Sequence, residues 1–274
     1  MSVPSVVLNN GIKIPQLGFG VFQVDPDATK DAVLTALDVG YRHIDTAQLY
    51  GNERGVGDAV RESGVAREDV FVTSKLNNDV HAPADAIKAF DTSLEVLGFD
   101  YLDLFLIHWP MPKSAVDFVD TWRALEQIHA SGRVRAIGVS NFHEHHLSRL
   151  LEFADIVPAV NQIEIHPYMS QDSLRAFGAA RGIATQAWSP IAQGLVLDDP
   201  TITRIAKAID KAPAQVVLRW HLQRGDIVFP KSVTRSRVEE NAALFDFELS
   251  AEDMAAVSAL NTDRRLGPDP EDLN

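Results

Sequence analysis

Short apolar runs alternate with amphipathic segments of helical length along almost the whole chain, and this alternation restricts the possible folds more than any other feature. Apolar runs that are each followed by a helical segment pair in parallel through crossover helices. Eight such units close an α/β sheet on itself, so the sequence predicts a (β/α)8 TIM barrel. The eight predicted strands cover residues 17–20, 43–45, 70–75, 101–108, 134–140, 159–164, 184–188 and 227–230.

The segments between the predicted strands have helical periodicity. Several of these helices end at a glycine, which is the residue preferred where the chain adopts a left-handed conformation after a helix. The turn sequence Asn9-Asn10-Gly11 predicts an N-terminal β-hairpin. We expect a single barrel domain over residues 1–274, with a hairpin cap at 1–16 and an irregular tail at 262–274. The predicted helices cover residues 28–39, 52–63, 84–97, 116–131, 143–153, 171–181 and 235–244, with extra helices near the C-terminus at 201–209, 213–224 and 251–260.

Polar side chains that suit proton transfer follow three of the predicted strands. Asp45 ends the second strand and Tyr50 follows it by five residues, while Lys75 and His108 end the third and fourth strands. In a parallel barrel all these strand ends meet at one face, where such folds keep their chemistry. Any one of these residues alone is more often a cap or a structural polar group. Together they form a set suited to protonating a carbonyl oxygen.

The chemistry assigns a role to each member of this set. A free phenol, with a pKa of about 10, is a slow proton donor near neutral pH. A neighbouring Lys75 ammonium is expected to favour the phenolate and so lower the pKa of Tyr50, with Asp45 holding the ammonium. We interpret Tyr50 as the general acid, and as the base in the reverse reaction. His108 is expected to orient the carbonyl or to share the proton.

Five motifs, in order along the chain, resemble the aldo-keto reductases. They are G-Y-R-H-I-D-T-A-x-x-Y-G-N-E from Gly40 to Glu53, S-K-L, L-I-H-W-P, G-V-S-N and P-K-S. The likeness runs from residue 7 to residue 260 and is greatest to the bacterial 2,5-diketo-D-gluconate reductases. The resemblance implies a barrel whose hairpin closes its bottom. It also implies reduction of aldehydes, reactive ketones and dicarbonyls by direct hydride transfer from NADPH, with Asp45, Tyr50, Lys75 and His108 as the catalytic tetrad.

The sequence lacks the G-x-G-x-x-G fingerprint of the common dinucleotide-binding fold, since its two partial matches lie in unsuitable contexts. Barrels instead bind phosphate with the loops after strands seven and eight. The run P-K-S-V-T-R-S-R after the eighth predicted strand is basic and begins a helix, whose first amides favour an anion. Taken alone, this run fits a solvated helix start equally well.

The resemblance implies NADPH/NADP+ as cofactor and names the residues that hold it. The carboxamide is expected to meet Ser140, Asn141 and Gln162, and the nicotinamide ring to stack on Trp188. The expected pyrophosphate and adenosine contacts are Ser189, Ile191, Gly194, Leu195, Lys231, Ser232, Val233, Arg237, Glu240 and Asn241.

The expected substrate pocket is lined by Phe22, Trp109 and the loop that follows Lys75. The relatives commonly continue Lys-Leu-Trp in this loop, whereas this chain has Asn77 in place of the tryptophan. An apolar wall is thereby lost. The loop after the fourth predicted strand is also short, so we expect an open site of modest selectivity.

Composition excludes several classes of function. A formal net charge of −13 over 274 residues argues against a nucleic-acid surface, which needs a clustered basic face. The absence of cysteine excludes disulfides and thiolate metal sites. No signal peptide and no apolar stretch of about 18 residues is evident. We expect a cytoplasmic monomer that binds a small carbonyl substrate and neither nucleic acid nor membrane.

Two alternatives to a reductase follow from the same barrel. A metal-dependent hydrolase needs a His-x-His in the first strand, and residues 17–20 contain no histidine. The run His143-Glu144-His145-His146 lacks the H-E-x-x-H spacing, so no metal site is predicted. The remaining alternative is a cofactor-binding regulatory barrel with little catalytic activity, against which the intact tetrad argues.

Overall fold

The protein is described by a computed structural model over residues 3–273, and the parts of the predicted cap and tail at residues 1, 2 and 274 lie outside the described residues. The strands are β1 Ser5–Val7, β2 Lys13–Pro15, β3 Phe19–Gly20, β4 His43–Asp45, β5 Phe71–Leu76, β6 Leu102–Ile107, β7 Val134–Ser140, β8 Val160–Glu164, β9 Ala184–Trp188 and β10 Ile227–Val228. The helices are α1 Pro26–Val39, α2 Glu53–Glu62, α3 Pro83–Leu97, α4 Phe118–Ala130, α5 Glu144–Leu151, α6 Asp172–Ala179, α7 Pro200–Ala208, α8 Pro213–Gln223, α9 Arg235–Ala242 and α10 Ala251–Ser258.

Strands β3 to β10 form one parallel sheet in chain order, which closes into the predicted (β/α)8 barrel. The first and last barrel strands meet where the amide of Gly18 donates to the carbonyl of Val228 at 2.7 Å. The amide of Val228 donates in turn to the carbonyl of Gln16 at 2.9 Å. These two strands are shorter than predicted, because Leu17 and Val228 pair only as an isolated bridge at the seam.

The predicted hairpin is formed by β1 and β2, with Val6 opposite Ile14. Gly11 adopts a φ of 84° in its turn, a conformation that glycine takes without strain. The side chains of Leu8 and Ile14 are buried in a cluster with Phe71 and Leu104 near the bottom of the barrel. The hairpin therefore closes the end of the barrel opposite the predicted site.

The helices form where the sequence predicts them, and each end lies within two residues of its predicted position. The turn after α1 illustrates why glycine marks these ends. Gly40 has a φ of 112°, and its amide reaches the carbonyls of Ala36 and Leu37 in the last turn. Within residues 3–273 no helix combines the length and the apolarity needed to cross a bilayer.

Helices α2 and α3 approach each other closely at Gly57. A Cβ atom at this position would lie 1.9 Å from the carbonyl oxygen of Leu97, the last residue of α3. Because that atom belongs to the backbone, neither helix can yield without moving as a whole. The contact thus requires glycine inside a helix, where alanine is otherwise preferred by about 1 kcal/mol.

We expect Gly57→Ala to lower the free energy of unfolding by about 1–3 kcal/mol despite its better helix propensity, because the new methyl overpacks the α2–α3 contact. Arg54→Ala, at an exposed position of the same helix, is the matched control and should change stability by less than about 0.5 kcal/mol. Urea denaturation followed by circular dichroism measures both. A Gly57→Ala protein more stable than wild type would contradict this packing.

Candidate active site

The barrel brings the four predicted residues to one rim. Asp45 is the last residue of β4, Lys75 lies near the end of β5, and His108 directly follows β6. Tyr50 ends a short 3-10 turn, and the left-handed Gly51 that follows it, with a φ of 67°, starts the approach to α2. Neighbouring parallel strands thus carry the acid, the amine and the imidazole to adjacent positions.

A buried ammonium lies at the centre of this group. The Nζ atom of Lys75 is 2.6 Å from Oδ1 of Asp45, 2.8 Å from the carbonyl oxygen of Thr46 and 3.4 Å from the phenol oxygen of Tyr50. The Lys75 side chain is fully buried. Burial by itself lowers the pKa of Lys75, but the nearby Asp45 and Tyr50 raise it above its usual value. The amine therefore stays charged.

The Tyr50 phenol is governed by burial more than by its charged neighbours. Burial raises its pKa, the Lys75 ammonium lowers it, and the Asp45 carboxylate raises it again, with a net pKa above the usual value. The lowered pKa expected from the sequence is therefore wrong, because desolvation outweighs the ammonium. The phenol keeps its proton at neutral pH, which is the form a proton donor needs.

His108 supplies a neutral imidazole beside the phenol. Its ring centroid is 5.8 Å from that of Tyr50. Burial, aided by the Lys75 ammonium, holds the pKa of His108 well below its usual value. Its buried Nδ1 has no hydrogen-bond partner within residues 3–273. Because this nitrogen is enclosed by the protein, a polar ligand at the rim would meet the imidazole through its other ring nitrogen, Nε2.

A chain of amides connects the tetrad to the next strands. Nε2 of Gln162 donates to Oδ2 of Asp45 at 2.8 Å and to Oε1 of Gln186 at 2.9 Å. The side chain of Asn141 donates to the carbonyl of His108 at 2.9 Å and accepts from the indole nitrogen of Trp188 at 2.8 Å. The predicted cofactor residues of β7, β8 and β9 and the predicted catalytic residues thus share one network.

Ser140 belongs to the same network, since its hydroxyl donates to the carbonyl of Gln162 at 2.8 Å and accepts from the Asn141 amide at 3.0 Å. Sequence analysis did not identify Gln186, which lies inside β9 and carries no motif. Its Nε2 atom is buried without a hydrogen-bond partner in the described part of the chain. Gln186 is recognised as part of the network by its hydrogen bond with Gln162.

The basic run after β10 divides into two kinds of residue. Arg235 is neutralised by ion pairs with Asp38 at 2.6 Å and with Glu239 at 2.9 Å. The exposed side chains of Lys231 and Arg237 make no ion pair within residues 3–273. Helix α9 begins at Arg235 with no side-chain cap, so amides of its first turn remain available. This combination suits a phosphate group.

The other predicted contacts of the adenosine and pyrophosphate surround this helix start and the end of β9. In the loop after β9, Ser189 and Gly194 have positive φ angles of 50° and 94°. The remaining residues differ mainly in exposure: Ile191 is half-buried, Leu195, Val233 and Glu240 are exposed, and Ser232 and Asn241 are buried.

Comparison with known proteins agrees with this geometry. The sequence model of the Aldo/keto reductase family matches residues 16–262. The chain belongs to this family. It is 50% identical over 270 residues to a glyoxal reductase of Bacillus subtilis, covering 98% of this chain and 97% of the relative. It is 49% identical over 271 residues to the methylglyoxal reductase DkgA of Yersinia pestis, covering 98% and 96%.

A solved structure gives the same result for the fold. The crystal structure of a variant of Gox0644 in complex with NADPH superposes with a TM-score of 0.96, at 42% identity and with 100% of both chains covered. The family expected from the motifs is confirmed, and this aldo/keto reductase is an oxidoreductase. The narrower likeness to 2,5-diketo-D-gluconate reductases stays a prediction.

The predicted substrate residues of this aldo/keto reductase occupy two places. The Phe22 ring is 56% exposed, with its centroid 5.0 Å from that of Tyr50. Trp109 is buried, with its centroid 6.5 Å from those of His108 and Trp188. Asn77 instead lines a cleft toward α3, where its amide oxygen accepts from the backbone of its own loop. Phe22 and Trp109 therefore flank the tetrad, and Asn77 lies beside it.

A segment of the C-terminal tail packs against Trp188, which sequence analysis did not anticipate. The two carboxylate oxygens of the buried Glu164 accept from the amides of Leu266 at 2.7 Å and Gly267 at 3.0 Å. A Cβ on Gly267 would lie 2.3 Å from Cη2 of Trp188. Glu164 is the last residue of β8, so the search for polar residues at strand ends that identified the tetrad could also have identified Glu164.

We expect Gly267→Ala to weaken the affinity for NADPH, because the methyl forces the Trp188 indole, on which the nicotinamide is predicted to stack, away from its bond with Asn141. An off-rotamer side chain costs about 0.5–1.5 kcal/mol, which corresponds to roughly 2- to 10-fold in the dissociation constant. Quenching of tryptophan fluorescence by NADPH measures it. Thr262→Ala, at an exposed position of the same tail, should leave the affinity unchanged, and equal affinities of both variants would refute the tail's role.

Proposed function

We propose that this aldo/keto reductase reduces aldehydes and reactive ketones, dicarbonyls above all, to alcohols with NADPH, and that Tyr50 is the general acid. The observation that carries the proposal is the phenol oxygen of Tyr50 at 3.4 Å from the Lys75 ammonium, which is itself held by Asp45 at 2.6 Å. An acid of this kind contributes about 100- to 10,000-fold to the rate of a proton transfer.

Each residue of the tetrad has a separate role in protonating the carbonyl oxygen. Tyr50 holds the proton that the carbonyl oxygen receives. The Lys75 ammonium stabilises the phenolate that remains, and its short bond to Asp45 keeps the ammonium in position at 2.6 Å. His108, whose burial keeps its pKa well below the usual value and its imidazole neutral, hydrogen-bonds the carbonyl oxygen through Nε2 and directs it toward the phenol. In the alcohol-to-carbonyl direction the phenolate of Tyr50 accepts the proton.

The residues around α9 and β9 fit the cofactor. Lys231 and Arg237 would hold the 2′-phosphate, the loop after β9 the pyrophosphate, and Trp188 the nicotinamide face, with Gln162 and Asn141 at the carboxamide. When bound, NADPH supplies the hydride that reaches the carbonyl carbon. The Gox0644 variant complexed with NADPH, at 42% identity, supports this choice of cofactor.

The proposal of small dicarbonyl substrates rests on two observations. Both curated relatives described above are named for such compounds, glyoxal and methylglyoxal. In addition, Phe22, whose ring centroid is 5.0 Å from that of Tyr50, is itself more than half exposed, as an open site for small molecules requires. We further propose a cytoplasmic monomer, in keeping with a net charge of −13 and the absence of cysteine.

Tyr50→Phe should lower kcat for methylglyoxal by at least about 100-fold, because it removes the acid but leaves the ring in place. NADPH binding, followed by fluorescence quenching, should persist. Tyr101→Phe, just before β6 at the opposite end of the barrel, is the matched control and should retain wild-type turnover. A wild-type protein that binds NADPH but does not oxidise it with methylglyoxal would favour the regulatory barrel instead.

Arg237→Ala should raise KM for NADPH by about 10- to 150-fold and leave KM for NADH unchanged, since a hydrogen bond to a charged group contributes about 1.5–3 kcal/mol. Arg235→Ala is a close control, because that arginine is already paired with Asp38 and Glu239. It should leave the ratio of the two KM values near wild type. If the two variants lose NADPH preference equally, Arg237 has no specific phosphate role.

A further inference from the structure

A cluster of three imidazoles and one carboxylate lies away from the tetrad, where the first turn of α5 meets the C-terminal tail. Oε1 of Glu271 is 2.8 Å from Nδ1 of His143, 3.2 Å from Nε2 of His145 and 3.5 Å from Nε2 of His146. These histidines follow Asn141 in the chain, and Glu271 lies more than 120 residues further on. Folding alone brings the four groups together.

The spacing of the nitrogen and oxygen atoms matches that of metal ligands. Candidate ligand atoms of His143, His145 and Glu271 all lie within 4.8 Å of one another. A tetrahedral zinc ion with bonds of about 2.0–2.2 Å holds its ligand atoms roughly 3.3–3.6 Å apart. The two contacts to Oε1 of Glu271, at 2.8 and 3.2 Å, are close to this spacing. An ion requires these side chains to rotate, and His145 and Glu271 are exposed enough, at 64% and 43%, to do so.

His146 provides an independent indication. Its side chain is only 3% exposed, and its Nε2 has no hydrogen-bond partner within residues 3–273 although it faces Glu271. Its Nδ1 accepts from the backbone amide of His143 at 3.2 Å, so Nε2 carries the hydrogen. A buried donor directed at a carboxylate is the group that commonly supports a metal-binding carboxylate from behind.

One positive charge faces the cluster from the tail. The guanidinium of Arg265 lies 3.3 Å from Nε2 of His143 and donates to it. An ion on Nδ1 requires a hydrogen on Nε2, so Arg265 must release this contact. Asp269, whose Oδ2 is 3.8 Å from Nε of Arg265, is a ready alternative partner. The positive charge of Arg265 therefore weakens the binding of a cation, but Arg265 does not prevent that binding because it can move to Asp269.

Although the spacing of the histidines along the sequence predicted no metal site, we propose that His143, His145 and Glu271 bind a divalent transition-metal cation of the kind that imidazole favours, such as Zn²⁺, with water completing the coordination and His146 supporting the carboxylate. The bound ion fastens the tail to α5. Because the same tail contacts Glu164 through Leu266 and Gly267, occupancy restrains the segment that packs on Trp188.

The test uses the untagged full-length protein, freed of metal, with Zn²⁺ titrated in competition with a chromophoric chelator. Wild type should bind one ion per chain. Removing a ligand, by His145→Ala or Glu271→Gln, should weaken binding by at least about tenfold. Both side chains are well exposed, at 64% and 43%, so the fold should survive. His129→Ala, on α4, is the control and should bind as wild type does.

Two further readouts are independent of reductase activity. Arg265→Ala should bind Zn²⁺ more tightly than wild type, because a cation near the site is removed. Zn²⁺ should slow tryptic cleavage after Arg264 and Arg265 in wild type and have no such effect in Glu271→Gln. The proposal is overturned if wild type shows no saturable binding, or if either ligand variant binds as tightly as wild type.

Discussion

The buried ion pair between Lys75 and Asp45 is the interaction on which the proposed chemistry depends. A charged group in the interior is tolerated only when it is paired and hydrogen-bonded, and removing one partner of such a pair costs about 3–5 kcal/mol. The barrel satisfies both charges with groups from separate strands and loops: the carbonyl of Thr46 accepts from the ammonium, and the amide of Gln162 donates to the carboxylate. The remaining neighbour of the ammonium is the Tyr50 phenol. Structure and reactivity therefore depend on the same contact.

The opposite end of the barrel holds a second buried carboxylate that is paired with cations, but there a guanidinium, that of Arg67, lies over the ring face of Tyr101 at 4.3 Å from its centroid. There the buried Asp103 accepts from Arg67 at 2.9 Å, from Arg135 at 2.8 Å and from the backbone amide of Val72 at 2.9 Å. Every partner is structural, so the carboxylate serves the fold alone. At the upper rim the phenol of Tyr50 has the ammonium as its charged neighbour. Asp45 and Asp103 are equally buried, at 2% and 1%, so the two sites differ in the phenol hydroxyl beside the cation and not in the exposure of the carboxylate.

The C-terminal tail connects the proposed metal site to the proposed cofactor site. It contains neither helix nor strand between residues 262 and 273, and its position is set by side chains of the barrel. Glu164 binds two consecutive tail amides beside Trp188, and the imidazoles at the start of α5 meet Glu271 a few residues later. Because an irregular segment has no internal hydrogen-bond ladder, these external contacts determine where it lies. Both contacts lie within a few residues of Gly267, which packs on the indole on which the nicotinamide is predicted to stack.

The sequence by itself determined the eight-stranded barrel, the bounds of its helices to within two residues and the four polar residues at strand ends, because hydrophobic periodicity and glycine caps act over a few neighbouring residues. It did not determine the pairing of Arg235 with Asp38, 197 residues away, the contact of Glu271 with His143, or the raised pKa of Tyr50. These features depend on which distant groups the closed barrel brings together and on how much water it excludes. A local sequence pattern contains no information about distant partners or about the exclusion of water, so only the tertiary structure decided these features.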